Sequence, residues 1–363
     1  MDIRSPETMS IALKLPLVWN PETDDTLVCI DIRQETHDVK TFTFASPDGK
    51  EFNFEPGQYF LFDLELGGES ESRCYSISSS PYRRNAFSVT VKRVGGGRVS
   101  NWLHDNLAVN STVKANGPLG HFIRPKGTAR KFLLLSGGSG ITPVMSMVRA
   151  LADTYEPIDA VFMHAARTPK DLIFREELVC LANKLTGLRL HFLPEEVTNE
   201  PSWLGLTGRI SADYVKLAVP DLSERVVMCC GPAPFMAAAR KIAEAAGVPP
   251  ENYHEESFDA AALEEPPIQP TPDASARVFQ VAFSKQARTI DVFGGQTVLS
   301  CAKKAGIKIP SSCANGVCGT CKSKLVSGSV DMMHNGGIRQ REVDAGLFLP
   351  CCSKPLSDLV IER

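Results

Sequence analysis

Apolar and polar positions follow three successive regimes along the 363 residues. Residues 1–26 show no period. Prolines and an acidic run interrupt them, which predicts an extended arm whose apolar residues have no assignable place. From Leu27 short runs alternate. Residues 27–30, 39–44, 58–64, 73–78, 86–92 and 111–115 predict strands, and 99–107 a short helix. Turn signals such as Ser46-Pro47-Asp48-Gly49 separate them. Short strands at regular spacing predict a small antiparallel β-barrel over residues 27–127. From Lys131 the runs become continuous and alternate with helical patterns. Strands are predicted at 131–135, 160–167, 188–193 and 226–230, and helices at 142–152, 174–185 and 234–246. The start signals are Thr142 as N-cap and Pro143 at the first helical position. This regime reads as a doubly wound α/β domain over residues 128–258. Residues 259–276 lose all period and hold Pro266, Pro267, Pro270 and Pro272, a stiffened linker. Residues 277–363 recover it: a hairpin at 278–283 and 289–293, a helix at 296–305, and strands at 322–327 and 358–362, which make a small α+β domain.

Composition adds little to the fold but narrows the class. The chain is 43% hydrophobic and 22% charged with a net charge of −3, an ordinary globular balance with nothing that points to nucleic acid. No run approaches a membrane span. The apolar stretch 11–19 is short and broken by Lys14 and Pro16, so no signal peptide is predicted and the cytoplasm is the expected compartment. There, eleven cysteines serve as ligands or free thiols. Cys29, Cys180 and Cys301 stand in apolar contexts and are predicted to pack. Residues 251–273 carry acids and no Lys or Arg, whereas bases outnumber acids by about two to one over 277–363. That basic excess suits either an acidic partner surface or plain solvation.

Four stretches carry chemistry. Cys313, Cys318 and Cys321 form C-x4-C-x2-C, and Cys351 follows thirty residues later. This is plant-type spacing for a [2Fe–2S] cluster, with Gly316 and Gly319 letting the loop wrap it. A zinc site or disulfides are the competing readings, but zinc sites usually pair two C-x2-C knuckles and here there is one. Arg73-x-Tyr75-Ser76 alternates on a strand, placing Arg73 and Tyr75 on one face and Cys74 and Ser76 on the other. That set suits a flavin, with an aromatic cover, a cation near phosphate and a hydroxyl near a ring nitrogen; an ordinary strand reads the same way. Gly95-Gly96-Gly97-Arg98-Val99-Ser100 precedes a helix, as an anion site or with Ser100 as a simple N-cap. Ser136 to Gly140 lies between a buried strand and a helix start, a pyrophosphate cradle without the full dinucleotide-binding spacing. Cys230-Gly231-Pro232 ends another strand of the same domain.

In this order, Arg73-x-Tyr75-Ser76, Gly97-x-x-Ser100, Gly117-Pro118-x-Gly120-x-Phe122, Gly137-Gly138-x-Gly140-Ile141-Thr142-Pro143 and Cys230-Gly231-Pro232 resemble the ferredoxin–NAD(P) reductase superfamily. The C-terminal domain, with Cys351-x-x-x-Pro355-x-x-Asp358, resembles plant-type ferredoxins of the β-grasp fold. The order flavin, nicotinamide, ferredoxin looks like the fused reductases of multicomponent oxygenases. Details at 166–174 and 349–353 look closest to two groups, the reductase subunits of glycine betaine and related quaternary-amine monooxygenases and the NADH oxidoreductases of hybrid-cluster protein.

The resemblance implies roles. Arg73, Tyr75 and Ser76 contact the flavin, and Gly97, Val99 and Ser100 its diphosphate. Gly138, Gly140, Thr142 and Pro143 take the nicotinamide dinucleotide. Cys230, Gly231 and Pro232 lie beside the nicotinamide ring. Ser76, Cys230 and Glu256 form the catalytic set. Cys313, Cys318, Cys321 and Cys351 hold the cluster; Cys352 is adjacent, but the register from Pro355 selects Cys351. FAD is preferred, with FMN open. NADH is preferred, with NADPH open because Arg167 and Arg175 stand where a 2′-phosphate would bind. The implied function carries electrons from NADH through flavin and cluster to a partner, first a Rieske-type oxygenase that demethylates glycine betaine. Hybrid-cluster protein as acceptor, and a redox sensor without turnover, are the alternatives. The expected partners are an oxygenase component or another one-electron acceptor, with neither nucleic acid nor membrane.

Overall fold

The computed structural model describes residues 16–125, 131–197, 200, 202–258, 277–307, 309, 316, 319, 321–334 and 337–363. The predicted linker and most of the cysteine loop, including Cys313 and Cys318, lie outside the described residues.

The first regime folds as strands β1 (Thr26–Thr36), β2 (Val39–Ala45), β3 (Tyr59–Leu66), β4 (Glu69–Ser76) and β5 (Phe87–Lys92), helix α1 (Arg98–Asn106) and β6 (Thr112–Leu119). The six strands form one sheet in the order β4-β3-β6-β1-β2-β5. An Ile77–Val89 bridge joins its two edges and closes the barrel. Alternation turns Phe42, Phe44, Phe60, Phe62 and Phe87 inward, where Phe60 and Phe87 stack at 4.0 Å. Burying each such ring contributes roughly 1.5–3 kcal/mol. The arm does have a place: Trp19 sits in this core, and its indole N–H donates to the Gly117 carbonyl at 2.8 Å.

The second regime comprises β7 (Lys131–Gly137), α2 (Ile141–Thr154), β8 (Asp159–Ala166), α3 (Arg175–Lys184), β9 (Leu188–Pro194), α4 (Ala212–Ala218), β10 (Val226–Cys230), α5 (Ala233–Ala245) and β11 (Tyr253–Glu256). Its sheet is parallel, in the order β11-β10-β7-β8-β9. Helices α2 and α3 cover one face and α4 and α5 the other, as continuous apolar strands require. Beneath the sheet, the buried Arg225 binds Asp159 and Asp221 and donates to the Phe132 carbonyl. Strand β11 and helix α4 escape the sequence reading, since Tyr-His-Glu-Glu has no apolar run and Ala212–Ala218 spans two turns.

The third regime holds β12 (Val278–Phe283), β13 (Arg288–Phe293), α6 (Val298–Lys304), β14 (Ser323–Ser327), β15 (Val330–Met332), α7 (Gln340–Asp344), β16 (Leu347–Phe348), β17 (Ser353–Pro355) and β18 (Leu359–Glu362). Its mixed sheet runs β13-β12-β18-β14-β16, with β15 and β17 paired separately. Cys321 and Cys351 belong to its buried core. Among the described residues no helix is long and apolar enough to cross a membrane.

Three expectations need correction. Gly140, not Thr142, is the N-cap of α2, because a 3-10 turn at Gly138–Gly140 already starts the helix at Ile141. Thr142 instead donates back to the Ser139 carbonyl at 3.2 Å, and Pro143 takes the third helical position, where its missing N–H costs nothing. Gly97, not Ser100, is the N-cap of α1, with Arg98 as the first helical residue. Cys180 does not pack; it is exposed on α3, whereas Cys29 and Cys301 are buried as expected.

Candidate functional site

Strands β10 and β7 are neighbours, with Cys230 opposite Ser136, so their two glycine turns leave the sheet side by side. They are packed to the limit. A Cβ at position 140 would lie 2.3 Å from the Cys230 carbonyl oxygen and 2.6 Å from the Gly231 nitrogen. One at 231 would lie 2.8 Å from the Phe235 ring and 3.0 Å from the Gly137 nitrogen. Gly138 is the exception: its φ is +53° and a Cβ there would meet nothing within 4 Å. Gly140 and Gly231, with Gly137 whose Cβ would lie 2.9 Å from Pro232 Cδ, therefore bring the turns together, and Gly138 leaves open space at the start of α2, the shape a pyrophosphate needs at a helix N-terminus. Thr142 and Pro143 are buried in the first turn of that helix.

Beneath these turns the buried His164 bonds through Nδ1 to the Ser136 hydroxyl at 2.8 Å. Its Nε2 has no partner among the described residues, and burial pushes its pKa down to about 4, so the imidazole is neutral. No sequence period singles it out.

Edge strand β11 runs parallel to β10 and sets Glu256 opposite Cys230. Across from them, the last residue of β4 arrives from the barrel: the Ser76 hydroxyl donates to Glu256 Oε2 at 3.2 Å. The three residues expected to form a catalytic set thus converge where the barrel meets the parallel sheet. Burial pushes the Glu256 carboxyl up to about 8, with the Ser76 hydrogen bond opposing that shift. Burial likewise raises the Cys230 thiol well above its ordinary value, which keeps it neutral.

The pairing of β3 with β4 sets Tyr75 opposite Phe60, Arg73 opposite Phe62, Ser76 opposite Tyr59 and Cys74 opposite Leu61. Arg73 and Tyr75 therefore do share the face that the strand alternation predicts. Tyr75 lies edge-on to Phe62 at 5.7 Å, and burial holds its phenol up, in the protonated form. Arg73 pairs with Glu71 at 3.4 Å, and Arg98 pairs with the other oxygen of Glu71 at 2.7 Å. Two guanidinium groups thus share one carboxylate beside the turn 94–100. That turn is closed by the Val94 N–H, which donates to Ser100 Oγ at 3.2 Å, while Val99 is buried in the barrel core. A Cβ at Gly95 or Gly96 would meet nothing within 4 Å. An open glycine turn with surplus positive charge fits a diphosphate. Glu71 was not foreseen, although it is in alternation with Arg73; Arg98 lies within the turn expected as an anion site.

The barrel and the parallel sheet are tied near this junction. Arg149 of α2 donates to the Ser78 carbonyl at 2.6 Å and binds Glu177 with two bonds of 2.8 and 2.7 Å. Ser146 donates to the Ser79 carbonyl at 2.7 Å. Of the four expected ligand cysteines, Cys321 and Cys351 are described and buried, and the Gly316 N–H donates to Cys351 Sγ at 3.2 Å. An N–H aimed at a cysteine sulfur is what a cluster thiolate requires. Cys352 is only partly buried, and its thiol donates weakly to the Leu349 carbonyl.

Family models match along the chain in the same order as the three sheets. The oxidoreductase FAD-binding domain covers residues 27–123, the oxidoreductase NAD-binding domain 134–241, and the 2Fe-2S iron-sulfur cluster binding domain 282–356. The glycine betaine monooxygenase reductase subunit of Pseudomonas aeruginosa (strain UCBPP-PA14) is 42% identical over 347 residues, covering 92% of this chain and 94% of its own. NADH oxidoreductase HCR of Escherichia coli (strain K12) is 31% identical, covering 91% and 95%. Among solved structures, phthalate dioxygenase reductase, described as a modular structure for electron transfer from pyridine nucleotides to [2Fe-2S], matches with a TM-score of 0.57 at 25% identity over 93% of this chain and 97% of its own. The chain belongs to the ferredoxin–NAD(P) reductase superfamily, in the branch of FAD- and NAD(P)H-dependent oxidoreductases that carry a C-terminal [2Fe–2S] domain and serve as reductase components of oxygenase systems.

Proposed function

We propose that this reductase takes hydride from NADH and delivers single electrons to a Rieske-type oxygenase that demethylates a quaternary amine such as glycine betaine. The observation that carries this reading is the 42% identity to a glycine betaine monooxygenase reductase subunit along nearly its whole length, against 31% to the oxidoreductase HCR. The working units are residues 27–127, 128–258 and 277–363, with residues 259–276 as linker and 1–26 as arm.

Bound flavin supplies the conversion from a two-electron donor to a one-electron acceptor that this pathway needs. The chain's own residues prepare its site. Tyr75 offers an aromatic face, and Arg73 with Arg98 offers positive charge next to the open turn 94–100 for the FAD diphosphate. The glycine pair at 137 and 138 and the helix start at Gly140–Pro143 receive the NADH pyrophosphate. Cys230, kept neutral by burial, presents no charge to the nicotinamide, and Gly231 and Pro232 shape its wall. Ser76 and Glu256 hold a proton between them at the junction, since the carboxyl is protonated near neutral pH. Cys313, Cys318, Cys321 and Cys351 are the cluster ligands.

Of the two arginines that a 2′-phosphate could meet, Arg175 is already committed to Glu200 at 3.1 Å and to the Trp203 ring at 5.0 Å, which favours NADH. Arg175 is therefore poorly placed to receive a 2′-phosphate. The cytoplasm is the assigned compartment, where cysteines serve as ligands or thiols.

The test is reconstitution. Purified holoprotein is mixed anaerobically with NADH and its visible spectrum followed; bleaching of both flavin and cluster bands is expected. Added to a Rieske-type oxygenase, glycine betaine and oxygen, it should drive formaldehyde release. Bleaching without any turnover, together with reduction of hybrid-cluster protein, would replace the oxygenase with that second acceptor. Slow or absent bleaching would favour a sensor.

A further inference from the structure

The cluster-bearing domain touches one patch of the barrel's outer face, at Leu61 of β3 and Ala115 of β6. On β3, Phe60, Phe62 and Leu64 point into the barrel core, so Leu61 and Asp63 point outward, in line with Cys74 and Ser72 of β4. Leu61 is nevertheless only 2% exposed. What covers it is the cysteine loop: a Cβ built on Gly319 would lie 3.6 Å from Leu61 Cδ2. Gly319 also has a φ of +67°, and its Cβ would be 2.6 Å from the Gly337 carbonyl oxygen, so no side chain fits there. The Gly337 N–H in turn donates to the Gly316 carbonyl at 2.9 Å. The segment 337–339 thus lines the back of the cluster loop.

Two residues on, Arg339 extends from the start of α7 into the barrel. It is 8% exposed, and its guanidinium donates to the Ala115 carbonyl of β6 at 3.4 Å. Asp25 and Asp63 of the barrel lie within its electrostatic reach. Its own N–H donates to Glu342, whose other oxygen holds Lys322 at 2.6 Å. Burial and the neighbouring Arg341 work against this guanidinium, and the field of Glu342, Asp25 and Asp63 opposes them.

We propose that Arg339 is a positioning residue for flavin-to-cluster electron transfer: it seats the cysteine loop on β3 of the flavin barrel and releases it when the domain swings to an external acceptor. Asp25 and Asp63 form the receiving surface. The hydride step, at the junction of Ser76 and Glu256, does not involve it. The inference rests on the electron path proposed above, but its failure is separable. Absence of flavin bleaching by NADH would sink that path, while the solution shape of the oxidised protein tests the docking alone.

The experiment compares Arg339→Ala, Arg339→Lys and Lys304→Ala, an exposed cation of the same domain, as holoproteins. In anaerobic stopped flow with NADH, Arg339→Ala should bleach flavin at the wild-type rate and reduce the cluster about tenfold or more slowly. Arg339→Lys should recover part of the loss and Lys304→Ala show none. Small-angle scattering of the oxidised proteins should give a larger radius of gyration for Arg339→Ala alone, and wild-type protein should expand likewise as salt is raised. If Arg339→Ala loses iron, the pair Asp25→Asn with Asp63→Asn removes the same field from the barrel side and leaves the cluster domain untouched. Wild-type cluster reduction and wild-type scattering in either variant would overturn the proposal, as would equal slowing of both phases.

Discussion

The Ser76 hydroxyl and the Glu256 carboxyl meet at 3.2 Å across the boundary between the barrel and the parallel sheet, and are 180 residues apart in sequence. Folded, Glu256 keeps its proton up to about pH 8, whereas an ordinary glutamate releases it near 4.5. The proton therefore favours the folded state. Its contribution is complete below pH 4.5 and is lost as pH rises through about 8. Glu256→Gln removes this titration. Denaturant melts of the apoprotein should show wild type losing stability relative to the variant between those limits, with no further change above. The rate of flavin reduction by NADH should lose its inflection near pH 8 in Glu256→Gln and fall about a hundredfold in Ser76→Ala. An inflection near 8 that persists in Glu256→Gln would assign it to another group.

Gly140 has no room for a side chain, because the Cys230 carbonyl and the Gly231 nitrogen already occupy the space. Gly140→Ala must push apart the turns after β7 and β10. NADH titration should show kcat/KM down by more than about tenfold, with flavin and iron content at wild-type levels. Gly138→Ala separates strain from crowding: its space is open, but its φ is +53°. The cost expected there is about 1 kcal/mol of stability from backbone strain, along with weaker NADH binding.

Arg225 is 1% exposed and holds both Asp159 and Asp221. Arg225→Ala takes one cation from each of two carboxylates, which keep Arg189 and Lys131, and frees the Phe132 carbonyl, a loss of about 1–3 kcal/mol in urea unfolding. The Arg225 hydrogen bond is the leading cause that holds Asp221 at about 2, against an ordinary 3.8. The same bond holds Asp159 down. This stabilisation is complete above pH 3.8 and is lost as pH falls through about 2. Arg225→Ala should therefore unfold with a shallower acid limb.

Cys351 and Cys352 are adjacent, yet only Cys351 is buried and receives the Gly316 N–H. Cys351→Ser should lose the cluster absorbance, and Cys352→Ser should retain it. Cys313→Ser should also lose it while NADH still bleaches the flavin. Loss of flavin reduction in Cys313→Ser would show that the cluster domain and the barrel do not function separately.

Much of this was legible in the chain because period and spacing are local. Alternation gave the barrel strands and the common face of Arg73 and Tyr75. Continuous apolar runs gave β7, β8 and β10, and the glycine turns were visible where those strands end. What escaped depended on distance. Strand β11 has no pattern of its own and exists because β10 offers it an edge. Arg98 and Glu71 meet only after β4 folds against α1, and Arg149 reaches Ser78 across a domain boundary. The helix starts at Gly97 and Gly140 went to the wrong residues because Ser100 and Thr142 are good capping types, whereas the backbone had already turned earlier. Cys180 lies among apolar letters on a helix whose other side carries the contact.

Trp19 lies in the barrel core, bonded to Gly117, two residues from the carbonyl that Arg339 meets. The sequence has three tryptophans, at 19, 102 and 203, and six tyrosines, none beyond residue 253. The cluster domain therefore holds neither an indole nor a phenol, only weakly emitting phenylalanines beside a quencher. Tryptophan and tyrosine emission of the apoflavin protein comes from the other two domains, and Trp19, bonded to the same strand that Arg339 meets, is the indole that reports on the docking face. The chain has, without any added label, an optical ruler between its flavin barrel and its cluster.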